Sequence, residues 1–118
     1  MKKLSGLALA RAAGRLALSK KGFDVKILKV KGISTVCDYF VIASADADIH
    51  VRAIAEAIDE GLLKQGCKPH HREGVNRGNW ILLDYIDVVV HIFYEPTRQF
   101  YALEKLWGDA DVEELTDH

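Results

Sequence analysis

The chain lacks the pieces that most enzymes advertise. It has no glycine-rich phosphate loop, no nucleophile beside a base, and no metal-ligand set at the usual spacing. Its two cysteines, Cys37 and Cys67, follow no CxxC pattern. Two isolated cysteines without a signal peptide argue for reduced thiols and a cytoplasmic protein. No apolar run reaches the length of a membrane span, and the N-terminal stretch LSGLALARAAGRLAL is interrupted by Arg11 and Arg15, which breaks any secretory core. Internal repeats, low-complexity tracts and long linkers are also missing. At 118 residues, 49% of them apolar, the chain is one compact unit that buries roughly two-thirds of its unfolded surface without staples.

What is present is unevenly distributed. Residues 1–31 hold nine Lys or Arg and one acid, Asp24, while the remainder holds seven basic and sixteen acidic residues. Such separation suits either a partner that meets one face or a lysine-bearing surface with an acidic tail. The segment from Asn79 to Trp107 carries both tryptophans, three of the four tyrosines and two of the four phenylalanines. Aromatic side chains dominate both core burial and interface hot spots, so this segment is either the heart of the core or the edge of a docking surface.

Periodicity gives the coarse order of elements. Residues 3–20 read as a helix with Leu9, Ala13, Leu16 and Ala17 on one stripe, ended by Gly22. Phe23 to Val30 alternates as a half-buried strand, and Gly32 to Thr35 is a turn. DYFVIAS, Asp38 to Ser44, has a continuous apolar centre and reads as a strand covered on both faces. A second helix, capped by Asp46 or Asp48, repeats Ile49, Ala53, Ile54, Ala57, Ile58 and Leu62 at helical spacing and stops at Gly66. His70 to Glu73 is a short edge strand, and Gly74 to Gly78 a loop. Trp80 to Tyr85 and Val88 to Tyr94 flank a turn at Ile86-Asp87, and a last helix runs from Pro96 to Trp107. The expected fold is α/β, a mixed sheet of four to five strands with helices packed on it. Residues 1–108 form its single domain, and the acidic residues 109–118 a flexible tail.

Several clusters invite chemistry. Asp46 and Asp48 follow a buried strand, where nucleotidyltransferases hold magnesium between carboxylates. No Gly-Ser phosphate grip precedes them, and helix capping explains them as well. A magnesium-dependent enzyme using this pair is the competing functional class. His70 and His71 are adjacent and point to opposite faces of a strand, and His91 sits inside VVVHIF as a core residue, so no metal site is expected. Asp84 and Asp87 flank a turn, which prefers Asp for local backbone bonding. Trp80 admits two readings, an anchor over the core or an exposed aromatic that docks a partner.

The combination of Asp38-Tyr39-Phe40-Val41-Ile42, Glu73-Gly74, Trp80-x-Leu82-Leu83-Asp84-Tyr85-x-Asp87-Val88-Val89-Val90-His91-Ile92-Phe93 and Arg98-x-x-Tyr101-x-Leu103-Glu104-x-Leu106-Trp107 resembles the Iojap family, whose bacterial members are ribosomal silencing factors. The resemblance spans residues 5–107. It implies a nucleotidyltransferase-like α/β domain without the active site, no cofactor and no catalysis. It also implies a translation repressor that binds the large ribosomal subunit at protein L-fourteen and sterically blocks joining of the small subunit. Trp80 and Tyr85 match the family's partner surface. With Leu82, Asp84, Asp87 and Glu73 they form the expected partner-binding set. Membranes and sequence-specific nucleic acid are not expected partners, and a homodimer stays open. Where the family often has Gly between the Tyr and the Asp, this chain has Ile86, which a positive-φ turn disfavours.

Overall fold

The computed structural model describes residues 4–74 and 78–116. In chain order the elements are α1 (Gly6–Ser19), β1 (Phe23–Lys29), β2 (Tyr39–Ala45), α2 (Asp48–Leu63), β3 (His71–Glu73), β4 (Trp80–Asp84), β5 (Val88–Tyr94), α3 (Glu95–Tyr101), α4 (Leu103–Leu106) and β6 (Asp111–Leu115). The six strands form one mixed sheet in the order β3-β4-β5-β2-β1-β6. Among the described strands only β2 and β5 run parallel, and the connection between them includes α2, β3 and β4. Both are buried along nearly their whole length, as strands at the centre of a two-faced sheet must be.

The pleat sends alternate residues into two different cores. Val25 and Ile27 of β1, Val41 and Ala43 of β2, Ile81 and Leu83 of β4, and Val88, Val90 and Ile92 of β5 pack under α1 and α2. Leu28, Phe40, Ile42, Val89 and Phe93 face the other way and meet Trp80, Leu82, Leu103 and Trp107. The first core is thick and aliphatic. The second is thin, aromatic and only partly roofed, because α3 and α4 are short.

Several sequence expectations are corrected. The sheet has six strands rather than four or five, and residues 111–115 supply the sixth. The acidic stretch is thus no flexible tail there: Lys26 pairs with Glu114 and Lys29 with Asp111 along β1. Arg11 of α1 grips Glu113 through two hydrogen bonds of 2.8 and 2.9 Å. The Leu115 side chain fills the space where Gly14 of α1 lacks a Cβ. The basic first third and the acidic end therefore touch within the molecule, through Arg11 and Glu113. The last helix is two, broken where Ala102 takes a left-handed conformation (φ 47, ψ 48). On α2 the buried stripe is Val51, Ile54, Ala55, Ile58 and Leu62, while Ile49 is exposed. Its N-cap is Ala47, whose side chain cannot cap, though Asp48 just inside the helix accepts the free Ile49 N–H at 2.8 Å. The His50 ring accepts the Asp46 N–H through Nδ1 and donates from Nε2 to the Lys20 carbonyl, which one neutral tautomer satisfies.

The expected Gly22 stop is a close-packed residue, and it is Lys21 that turns left-handed (φ 63) to end α1. The loop expected at residues 74–78 lies largely outside the described residues. No described helix is long and apolar enough to cross a membrane.

A candidate docking face

Alternation along β4 decides what this face contains. Trp80, Leu82 and Asp84 project to the thinly covered side of the sheet, and Ile81 and Leu83 to the helix side. The register adds Glu73 beside Leu82 and His71 beside Asp84 from β3, and His91 and Phe93 from β5. The Trp80 indole stacks on Phe93, its cross-strand partner, at 4.8 Å and 27°, and meets Tyr101 of α3 at 4.9 Å. Its Nε1–H donates to Nδ1 of buried His91 over 3.1 Å. One side of the indole is thereby seated and the rest stays accessible. Around it opens a shallow groove of about 300 Å³ lined by Glu73, Gly74, Asn79, Trp80, Leu82, Thr97 and Tyr101. Beyond the groove, Phe100 is 82% exposed and Leu106 73%, so apolar surface continues across α3 and α4.

A second, charged device holds α3 and α4 in place. Arg98 is 2% exposed yet fully engaged. It forks onto both oxygens of Glu104 (3.0 and 3.1 Å) and donates to Ser44 Oγ at 2.7 Å and to the Asp24 carbonyl at 2.6 Å. The guanidinium holds the Glu104 carboxyl below the usual range, despite partial burial that opposes this. Arg98 thus ties both short helices to β1 and β2, which fixes where Tyr101 stands against Trp80.

The expected partner-binding residues divide. Trp80, Leu82 and Glu73 share the groove. Asp84 is half-buried and spends a carboxylate oxygen on the Ile86 N–H at 2.7 Å, a turn role. Asp87 is exposed, and its carbonyl accepts the Asp38 and Tyr39 N–H groups. Tyr85 is corrected: it is 9% exposed and belongs to the helix-side core, where burial pushes its hydroxyl pKa upward. Five positions from Trp80 along an extended segment, it faces the opposite way. Asp46 and Asp48 are exposed and engaged locally, Asp48 with the Ile49 N–H and with Arg52. Among the described residues no three His, Cys, Asp or Glu side chains are grouped to hold a metal. Sequence reasoning missed Thr97 and Tyr101. Their i, i+4 spacing on a helix facing Trp80 was the available signal.

The turn itself is strained. Ile86 has φ 75, and the Tyr85 carbonyl accepts the Asp87 N–H at 3.0 Å, a γ-turn of the unfavourable hand centred on a β-branched residue. Ile86 is also 60% exposed, so little packing offsets the strain. Ile86→Gly is expected to raise stability by about 1 kcal/mol, since the relieved strain outweighs the added chain entropy. A urea midpoint unchanged or lowered would contradict this.

Residues 4–118 match the family described as "Ribosomal silencing factor during starvation". The chain belongs to the ribosomal silencing factor family. It is 40% identical over 108 residues to the ribosomal silencing factor of Bacillus subtilis, covering 92% of each chain. Identity to that of Halalkalibacterium halodurans is 38% over 112 residues, covering 95% of this chain and 96% of the relative. The chloroplastic Iojap protein of Arabidopsis thaliana is 35% identical, with 92% of this chain matching 45% of that longer one. Among solved structures, a Chromobacterium violaceum protein superposes with a TM-score of 0.86 at 28% identity, covering 89% of this chain and 88% of that one. A Bacillus halodurans protein gives 0.81 at 35% identity, covering 93% and 100%. Silencing-factor membership agrees with the Iojap resemblance and with a regulator of translation that works at the ribosome.

Proposed function

We propose that the chain represses translation by binding the large ribosomal subunit at protein L-fourteen through the Trp80 face, where it blocks the approach of the small subunit. Carrying this reading is a half-buried tryptophan seated on Phe93 and Tyr101 beside an open groove. Binding energy concentrates in such aromatic anchors, and exposed apolar surface next to one marks a protein interface. Glu73, Asp84 and Asp87 lie around this edge of the sheet and would meet a basic ribosomal surface, which speeds encounter more than it deepens affinity. The scaffold reads as nucleotidyltransferase-like with its chemistry missing. Asp46 and Asp48 would stand where catalytic carboxylates stand, but Asp48 is spent on the Ile49 N–H and on Arg52. Tyr85 takes no part in the contact.

Trp80→Glu is the direct test. It places a charge where the partner would bury an indole, and co-sedimentation with isolated large subunits should weaken at least ~30-fold, the loss expected of a hot spot. Circular dichroism should stay near native, because Trp80 is only half-buried at the rim of the second core and the helix-side core is untouched. A folded variant that still binds and still prevents subunit joining would overturn the assignment.

A further inference from the structure

We propose that His91 is a positioning residue that locks the Trp80 indole in a single orientation for docking, using Nδ1 as a buried acceptor. This rests on the docking role of Trp80.

The geometry divides the task of holding the indole. Stacking on Phe93 at 4.8 Å fixes the plane of the ring. It does not choose between the two faces, because a half-turn about the second side-chain torsion leaves the same plane on Phe93. The hydrogen bond makes that choice. Only one of the two orientations brings Nε1 within 3.1 Å of His91 Nδ1. Tyr101 then closes on the ring at 4.9 Å.

His91 is itself immobilised. It is 4% exposed, Phe40 meets it edge-on at 5.0 Å, and Phe93 lies nearly parallel to it at 6.1 Å. Because Nδ1 accepts the indole proton, the neutral ring carries its own proton on Nε2, and Nε2 is buried with no partner. A leucine or phenylalanine would fill this place without stranding a buried donor. What the imidazole adds is the acceptor. Burial holds it neutral, pushing its pKa down to about 4, so the acceptor lone pair is free at neutral pH.

The arrangement also specifies the partner's side. The indole's one donor is turned inward and spent on His91, so a docking partner meets carbon surface alone. A pocket that receives Trp80 should be apolar, with no acceptor waiting for an indole N–H.

The test is a double-mutant cycle read by co-sedimentation with large subunits. His91→Leu removes the acceptor and His91→Asn supplies an oxygen near the place of Nδ1. His91→Leu should weaken binding about fivefold, the scale of one net hydrogen bond, and His91→Asn should restore most of it. In a Trp80→Phe background, which keeps an aromatic ring but has no N–H, His91→Leu should have no further effect. An equal loss in both backgrounds would show a merely structural histidine and overturn the proposal. Hydrogen exchange of the Trp80 indole N–H in the native protein gives an answer even if His91→Leu fails to fold. Strong protection, assigned by comparison with Trp107→Phe, supports the lock, and exchange at the rate of a free indole overturns it. If Trp80→Ala leaves binding intact, the docking reading fails and this proposal with it. If Trp80→Ala abolishes binding while His91→Leu, folded, does not weaken it, only the proposal fails.

Discussion

Val90→Asp is expected to abolish the folded state. Val90 is completely buried on β5, paired with Val41 of β2 on one side and Leu83 of β4 on the other. It points into the aliphatic core under α1 and α2. The described neighbours offer a carboxylate no cation there, so the group must either stay charged in an apolar site or take up a proton to enter it. Both routes cost several kcal/mol. A domain of this size has only about 5–15 kcal/mol in all. Circular dichroism should show loss of the cooperative melt. A variant melting close to the native temperature would mean that β5 is not the centre of the sheet.

Arg98→Ala is expected to cost about 3–5 kcal/mol, the scale for removing one partner of a buried ion pair. The loss is large because Arg98 serves four acceptors at once, two oxygens of Glu104, Ser44 Oγ and the Asp24 carbonyl, of which Glu104 would keep only Lys26 at 3.6 Å. Arg98→Lys should recover only part of it, since an ammonium cannot fork onto Glu104 while also reaching β1 and β2. The urea midpoint measures both. A second effect follows from geometry. With α3 and α4 loosened, Tyr101 leaves Trp80, and ribosome binding should fall even under conditions where the variant is fully folded. A stability loss under ~1 kcal/mol would show that the network is not a staple.

Much of this was legible in the sequence. The continuous apolar runs of β2 and β5 announced central strands, and the composition around Trp80 announced a surface that is neither core nor plain exterior. The errors have physical causes. Tyr85 was placed at the partner surface by family likeness, although alternation from Trp80 already set it on the opposite face. The acidic residues 109–118 read as a solvated tail because nothing local opposes that. Only the backbone edge of β1, far away in sequence, with Arg11 of α1 on Glu113, makes a strand of them. The break at Ala102 was invisible, since alanine favours helix and nothing local marks the left-handed turn that the Arg98–Glu104 clamp spans. His91 was correctly read as a core histidine with a local hydrogen bond, but its partner could not be named until the register of β4 against β5 set Trp80 diagonal to it.

The position of β6 governs the order in which the molecule can be assembled. Val25, near the start of β1, pairs with Leu115. Residues 111–115 are the last strand to be made and join β1 across nearly the whole chain, so until they dock the outer edge of β1 is a row of unpaired backbone groups. The slot beside Gly14 is empty at the same time. Closing the sheet is therefore a long-range event, entropically late and slower than the formation of any hairpin in the fold. A nascent chain in this state offers a free strand edge to a neighbour's acidic segment. Exchange of β6 between two molecules is then the characteristic misassembly of this topology.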